Sequence, residues 1–492
     1  MPGLIEDYAL IGNCEATALV GRDGSIDWLA VPRFDSAACF AALLGGTENG
    51  RWQIAPKAES RSRRHYRQGT LILETRFETT AASAILIDGM GRRDGCADLV
   101  RVIRGERGRM MFRMELVIRC EYGLIIPWVR RLNDGRVTAV AGPDRLTLAT
   151  PAAVHGENLR TIAEFEIRAG EEIPFSLTWS PSHRPVPSAP NARDTLEEAS
   201  AGWLGWLRSH RPEGSGEWSE AVLRSLITLK ALTHSETGGI VAAATTSLPE
   251  QLGGSRNWDY RFCWLRDATL TLYALLNSGF FEEAASWRDW LLRAVAGAPS
   301  QMQIMYGTAG ERRLIEYEVP WLSGYEGAAP VRIGNAAVDQ LQLDVYGEVL
   351  DTLYQARRMG LPPNEAAWSL ERALVEHLET IWEQPDEGIW EVRGGRRQFT
   401  HSKVMAWVAF DRAIRSIKEF ELDGPAERWC GCRERVHEQV CREGFDPQLN
   451  SFVQCYGSRQ LDASLLLLPL VGFLPADDPG SREPWRRSSE VC

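Results

Sequence analysis

The spacing of apolar positions changes its period partway along the chain. Up to about residue 180, short runs alternate apolar and polar side chains and are punctuated by Gly, Pro and Asp. In TLILETRFET, Leu71 and Leu73 alternate with Glu74 and Arg76. RVTAVAG and RLTLAT flank a hairpin turn around Gly142-Pro143-Asp144, and TIAEFEIRAGEEIPFSLTW repeats the pattern with a turn at Gly170. Many strands at regular spacing predict an N-terminal β-sandwich over residues 1–180. Residues 180–190, SPSHRPVPSAP, hold four prolines and read as a linker. Asp194 is expected to cap the helix that follows, so residues 181–215 form a linker and bridging helix. From Gly216 onward the period becomes helical. DATLTLYALLNSGFFEEAASWRDWLLRAVA predicts two helices meeting near Gly279. NAAVDQLQLDVYGEVLDTLYQARRMG stops at Gly360, with Pro362 and Pro363 beyond. With the helix expected in QLDASLLLLPLVGF, roughly eight helices follow the linker. Helical hairpins in series, without βαβ alternation, predict an α/α toroid or a solenoid over residues 216–479. Residues 480–492 have no apolar period and read as a separate tail.

Composition narrows the function classes. The chain has 492 residues, 44% of them hydrophobic, enough for two cores. A net charge of −11 argues against nucleic-acid binding, which needs a basic footprint. Ten scattered cysteines, with only a CxC at Cys430 and Cys432, suggest reduced thiols and no zinc site. The N-terminus has no basic n-region, and Leu465–Leu468 with Pro469 is too short to span a bilayer, so a cytoplasmic protein without a membrane partner is expected. No metal and no cofactor is expected. Eighteen tryptophans suit a sugar site, because an indole face packs on the C–H face of a pyranose.

Two segments concentrate the chemistry. SRNWDYRFCWLRDA, residues 255–268, places Trp258, Asp259, Tyr260, Arg261, Trp264, Arg266 and Asp267 within ten positions. Such a set offers stacking faces with donors and acceptors for adjacent hydroxyls. In DEGIWEVRGGRRQFTHSKVMAW, residues 386–407, Glu391 follows Trp390 and precedes a Gly-Gly turn. A carboxyl beside an indole is desolvated, which raises its pKa as a general acid requires. Trp28 and Trp321 are further candidates for a pocket wall, and Glu250, Glu316, Asp339 and Asp344 for supporting acids.

These segments resemble glycoside hydrolase family 15, the glucoamylase, glucodextranase and bacterial trehalase group. The resemblance runs from IEDYALIGNCEATALVGRDGSIDWLAVPRFDS through NWDYRFCWLRDA, PVRIGNAAVDQLQLDVYGEVLD and GIWEVRGGRRQFTHSKVMAWVAFDRA to about residue 479. It implies a β-sandwich followed by an (α/α)6 barrel and inverting release of glucose from a non-reducing end. The implied general acid is Glu391, with Trp258, Asp259, Tyr260, Arg266, Asp267 and Trp390 binding a small α-glucoside. The bacterial-type opening segment favours trehalose or short α-gluco-oligosaccharides. No segment after Glu391 matches the stretch that carries the family's general base, and eight helices fall short of twelve. A C-terminally incomplete barrel and impaired hydrolysis are therefore expected. Two other readings remain: an inverting disaccharide phosphorylase, with His401, Ser402 and Lys403 as phosphate donors, and a non-catalytic sugar-binding remnant.

Overall fold

The computed structural model describes residues 3–209 and 217–475. The expected tail at 480–492 and the end of the bridging segment lie outside them. The backbone divides into two compact units. The first comprises residues 1–236, 240–262 and 315–335; the second comprises 237–239, 263–314 and 336–492.

The first unit is built on two antiparallel eight-stranded sheets. One runs in the order Tyr8–Gly12, Thr17–Gly21, Ser25–Ala30, Arg51–Pro56, Arg109–Val117, Arg160–Arg168, Val154–Glu157, with Ala38–Phe40 paired beside Ser25–Ala30. The other runs Trp128–Arg131, Val137–Ala141, Asp144–Ala149, Glu172–Pro181, Cys96–Arg107, Ser83–Arg93, Leu73–Glu78, Arg61–Tyr66. Their facing side chains form one apolar core, including Trp52, Leu86, Ile103, Phe112 and Phe175. The alternation in TLILETRFET survives as Leu73 and Phe77 buried against exposed Arg76. The turn at Gly142-Pro143 closes a hairpin in which Ala141 faces Asp144. Strand Ser83–Arg93 is buried on both faces and so reads as an almost continuous apolar run. Leu86 points into the sandwich, whereas Ile85 and Ile87 pack on the other side against Ala192 and Leu196 of helix α1 (Ala192–Ser209). Asn191, rather than Asp194, caps this helix: its side-chain oxygen accepts from the Arg193 amide at 3.1 Å, and Asp194 sits in the first turn.

Inside the sandwich, Asp88 and Arg101 stand opposite each other on neighbouring strands and are both fully buried. Arg101 also donates to the carbonyls of Trp52 at 2.7 Å and Gly24 at 2.8 Å, so the pair is neutralised and hydrogen-bonded together. Helix α2 (Ser219–Ala231) belongs to this unit, as do the hairpins Thr246–Pro249 with Asn257–Asp259 and Tyr317–Glu318 with Arg332–Ile333.

The second unit holds helices α3 (Leu265–Asn277), α4 (Phe281–Ala294), α5 (Asp344–Arg358), α6 (Glu365–Ile381), α7 (Thr400–Phe420) and α8 (Ala426–Glu443). The break between α3 and α4 falls at Gly279, which adopts φ +84°. Gly360 ends α5 in the same left-handed region, and Asn364 caps α6 by accepting from the Ala367 amide at 2.9 Å. Helix α7 is buried on every face from Thr400 to Ile414. Its approach to α5 needs Gly347, where a β-carbon would lie 2.2 Å from the Met405 carbonyl oxygen. The helix expected in QLDASLLLLPLVGF is only a 3₁₀ turn, Ala463–Leu467. Pro469 lacks the N–H that an α-helix would direct at Leu465, and the Leu468 amide takes that carbonyl instead at 3.2 Å.

Candidate active site

Three segments of the second unit converge on one carboxyl. The first is the end of the short strand Cys263–Trp264, which pairs with Met305–Tyr306 and leads into α3. It presents Trp264 just before the helix and Arg266 and Asp267 in its first turn. The second is the start of α5, where Asp344 sits at a helix N-terminus, a favourable place for an anion. The third is the loop before α7. Asp386 and Arg397 exchange backbone hydrogen bonds at 2.9 and 2.8 Å and close its base. The Asp386 carboxylate accepts from the Leu343 amide at 2.9 Å and Glu387 from the Leu341 amide at 2.8 Å, so this loop is tied to the approach to α5.

Glu391 lies at the tip of that loop. Its Oε1 accepts from the Trp264 indole Nε1–H at 2.6 Å and faces an Arg266 guanidinium nitrogen at 3.4 Å. Arg266 is also held by Gln342 at 3.0 Å and Asp344 at 3.2 Å, so its plane is fixed from two sides. The Glu391 backbone has φ +53°, a left-handed conformation that costs an L side chain about 1 kcal/mol or more. Gly388, three residues earlier, has φ +71°, and a β-carbon there would strike the Phe399 ring at 2.7 Å.

The electrostatics suit a proton donor. Burial raises the pKa of Glu391, and the charges of Asp267 and Asp344 push the same way. Arg266 and the Trp264 hydrogen bond oppose them without cancelling the rise. Burial also raises Asp267, against Arg266. On α5, one turn beyond Asp344, burial and the neighbouring acids push Glu348 up to about 8. Burial lowers the His401 imidazole, which lies in the field of Asp344, Arg266 and Asp462.

The sequence-predicted residues thus divide between the units. Glu391, Trp390, Arg266 and Asp267 fall in the second unit. Trp390 is half exposed, and its indole N–H bridges both Asp462 oxygens at 3.0 and 2.8 Å. Trp258, Asp259 and Tyr260 fall in the first unit. Trp258 lies under the Arg332 guanidinium, 4.5 Å from the ring centroid, and Tyr260 is partly buried. Asp259 is fully buried. Arg261 engages both its oxygens, at 2.9 and 2.8 Å, and the Gly334 amide adds a contact at 3.1 Å, so this carboxylate shapes its loop. Trp28 is also fully buried, donating to the Ala244 carbonyl at 2.8 Å, whereas Trp321 is partly exposed. Of the supporting acids suggested by sequence, Asp344 takes that part through Arg266, while Glu250 pairs with Arg256 at the surface.

Trp264, one of the aromatics that residues 255–268 offer as stacking faces, serves here as the hydrogen-bond donor to Glu391. Gln342 and Asp462 were not singled out from sequence and carry no local signal. Among the described residues, no group of three or more His, Cys, Asp or Glu side chains gathers as a metal site, and no helix is long and apolar enough to cross a membrane.

A desolvated carboxyl braced by an indole donor and an arginine on helix-connecting loops suits the general acid of a glycoside hydrolase. Residues 216–488 match the pattern of Glycosyl hydrolases family 15, and residues 2–171 match that of a trehalase-like N-terminal domain. A trehalase from Mycobacterium tuberculosis is 35% identical, the match covering 97% of this chain and 74% of that protein. A trehalase from Thermoplasma acidophilum is 31% identical over 94% of this chain and 80% of its own length. Among solved structures, a bacterial glucoamylase complexed with acarbose superposes with a TM-score of 0.68 at 13% identity, covering 97% of this chain and 77% of that one. The chain belongs to glycosyl hydrolase family 15, with the sandwich-plus-(α/α)6-barrel fold of the glucoamylases.

Proposed function

We propose that this glycoside hydrolase releases glucose, with inversion, from the non-reducing end of trehalose or short α-gluco-oligosaccharides. The observation that carries the proposal is Glu391: largely but not fully withdrawn from solvent, raised in pKa, and aimed by Trp264 and Arg266. In this reading Glu391 gives its proton to the glycosidic oxygen as the bond breaks, and a water attacks the opposite face of the sugar. Arg266 and Asp267 hold the hydroxyls of the non-reducing glucose, and Trp390 supplies aromatic surface. Support for trehalose comes from the relatives, which carry the name trehalase over nearly the whole of this chain. A cytoplasmic site of action belongs to the same proposal and rests on the scattered spacing of the cysteines.

Incubation with trehalose and with maltose, followed by proton NMR of the anomeric signals, tests it. The expected first product from the cleaved α-linkage is β-glucose, and Glu391→Gln should lower the rate about 10²–10⁴-fold. Absence of glucose from every α-glucoside, or unchanged turnover in Glu391→Gln, would refute the assignment. The phosphorylase reading is not favoured. Lys403 is buried, and its ammonium donates to the carbonyls of Trp382 at 2.6 Å and Gln384 at 2.5 Å, which occupies it as a structural brace.

A further inference from the structure

Asp462 is the most fully engaged carboxylate near the acid, and neither the proposed reaction nor the sequence analysis gave it work. It precedes the 3₁₀ turn Ala463–Leu467 and caps it, accepting from the Ser464 amide at 2.8 Å and the Ser464 hydroxyl at 2.6 Å. Gln454 donates to its other oxygen at 2.8 Å. These bonds, with the indole of Trp390, fill both oxygens with donors. They also hold the acid below the ordinary carboxylate range despite its partial burial. The segment that carries Asp462 is itself fastened to the start of α7. Thr400 donates from its amide to the Gln454 carbonyl at 2.9 Å, and from its hydroxyl to Val453 at 2.5 Å. The Tyr456 amide reaches the Gln398 carbonyl at 2.9 Å. Asp462 is therefore a fixed post, and Trp390 is moored to it immediately before the strained Glu391.

We propose that Asp462 is a positioning residue for the general acid, acting through the Trp390 indole. The left-handed backbone at Glu391 relaxes unless its surroundings hold it. Trp390 is half exposed, so packing alone does not fix it. The two hydrogen bonds to Asp462 fix the residue before the acid, and through it the direction in which the Glu391 carboxyl enters its pocket. The inference rests on the reading of Glu391 as the general acid. It extends that reading to a residue 71 positions further along the chain.

The test compares Asp462→Ala, Asp462→Asn, Trp390→Phe and the Asp462→Ala/Trp390→Phe double variant in the full chain. Two readouts are used. The first is the titration of Glu391, followed by carbon-13 NMR of labelled glutamate and by the Trp264 indole signal, which needs no turnover. The second is kcat and KM on trehalose. Release of the loop admits water to Glu391, so Asp462→Ala and Trp390→Phe should each lower its pKa towards the ordinary value. The double variant should shift it no further than either single change. Asp462→Asn removes the charge but keeps an acceptor, and should restore most of the wild-type titration. In the kinetics, kcat should fall about 10-fold or more in Asp462→Ala, as expected for a misaimed group, with Asp462→Asn again recovering most of the loss. Equal shifts in Asp462→Asn and Asp462→Ala would mean that only charge matters, and would overturn the proposal. So would an unmoved Glu391 titration in a folded Asp462→Ala, or effects of the two single changes that simply add. If the wild-type chain hydrolyses no α-glucoside, the functional reading falls, and the NMR arm still decides whether Asp462 orients Glu391.

Discussion

Replacing Trp264 with Phe isolates one bond of the acid's environment. Trp264 is buried; phenylalanine keeps an aromatic ring there, smaller than the indole, and removes the N–H that reaches Glu391 Oε1 at 2.6 Å. That bond favours the ionised carboxylate and so lowers its pKa. A hydrogen bond to a charged group contributes about 1.5–3 kcal/mol, and one pKa unit is about 1.4 kcal/mol. Part of the bond persists to the protonated acid, so the expected shift is about one unit upward. Hydrolysis by a general acid is lost as pH rises through the pKa of the acid. The alkaline limb of the pH profile of kcat/KM should therefore move up by about one unit in Trp264→Phe, with activity extended rather than curtailed. Trehalose hydrolysis measured across pH 4–10, with a Glu391 titration by NMR beside it, supplies the check. A downward move would mean that Glu391 had swung onto Arg266, and a stationary limb would mean that the indole does not sense the acid. Either result would refute this account of how the acid is tuned.

Other expectations follow from the packing and the buried charges. Glu348 is pushed up to about 8, so the folded chain keeps a proton that the unfolded chain releases above its ordinary pKa near 4.5. Stability should then fall as pH rises from about 4.5 to 8. Glu348→Gln should raise the thermal midpoint at pH 8.5, by a gain on the order of a few kcal/mol, and leave it nearly unchanged at pH 4.5. Gly347→Ala forces a methyl group to within 2.2 Å of the Met405 carbonyl, and overpacking of this kind should cost about 1–3 kcal/mol in a denaturant titration. Arg101→Met leaves Asp88 buried without its partner and should cost about 3–5 kcal/mol, with Asp88→Leu added in the same chain recovering part of the loss.

The parts of the fold that were readable from sequence are those where one side-chain pattern dominates. Leu73 to Phe77 alternate because one face of that strand meets the sandwich core, and the breaks at Gly279 and Gly360 follow from the left-handed turns those residues adopt. Legibility failed where two demands overlapped. Ser83–Arg93 loses its alternation because α1 covers its outer face. The apolar run at Leu465–Leu468 looks helical, but Pro469 leaves it as a 3₁₀ turn. Glu391, Arg266 and Trp390 were singled out by their aromatic-rich segments, and the structure brings the Glu391 carboxyl and the Arg266 guanidinium together. Asp259 looked equally eligible in the same segment, and only its burial against Arg261 separates it from the others. Gln342 and Asp462 could not be found from local pattern, since each acquires its place through contacts with residues 70 or more positions away.

The left-handed backbone at Glu391 also bears on stability. Glycine or asparagine would sit there with less strain, at a gain of about 1 kcal/mol. Loss of the glutamate would relax the loop, so this position holds a charged group whose presence opposes stability rather than serving it.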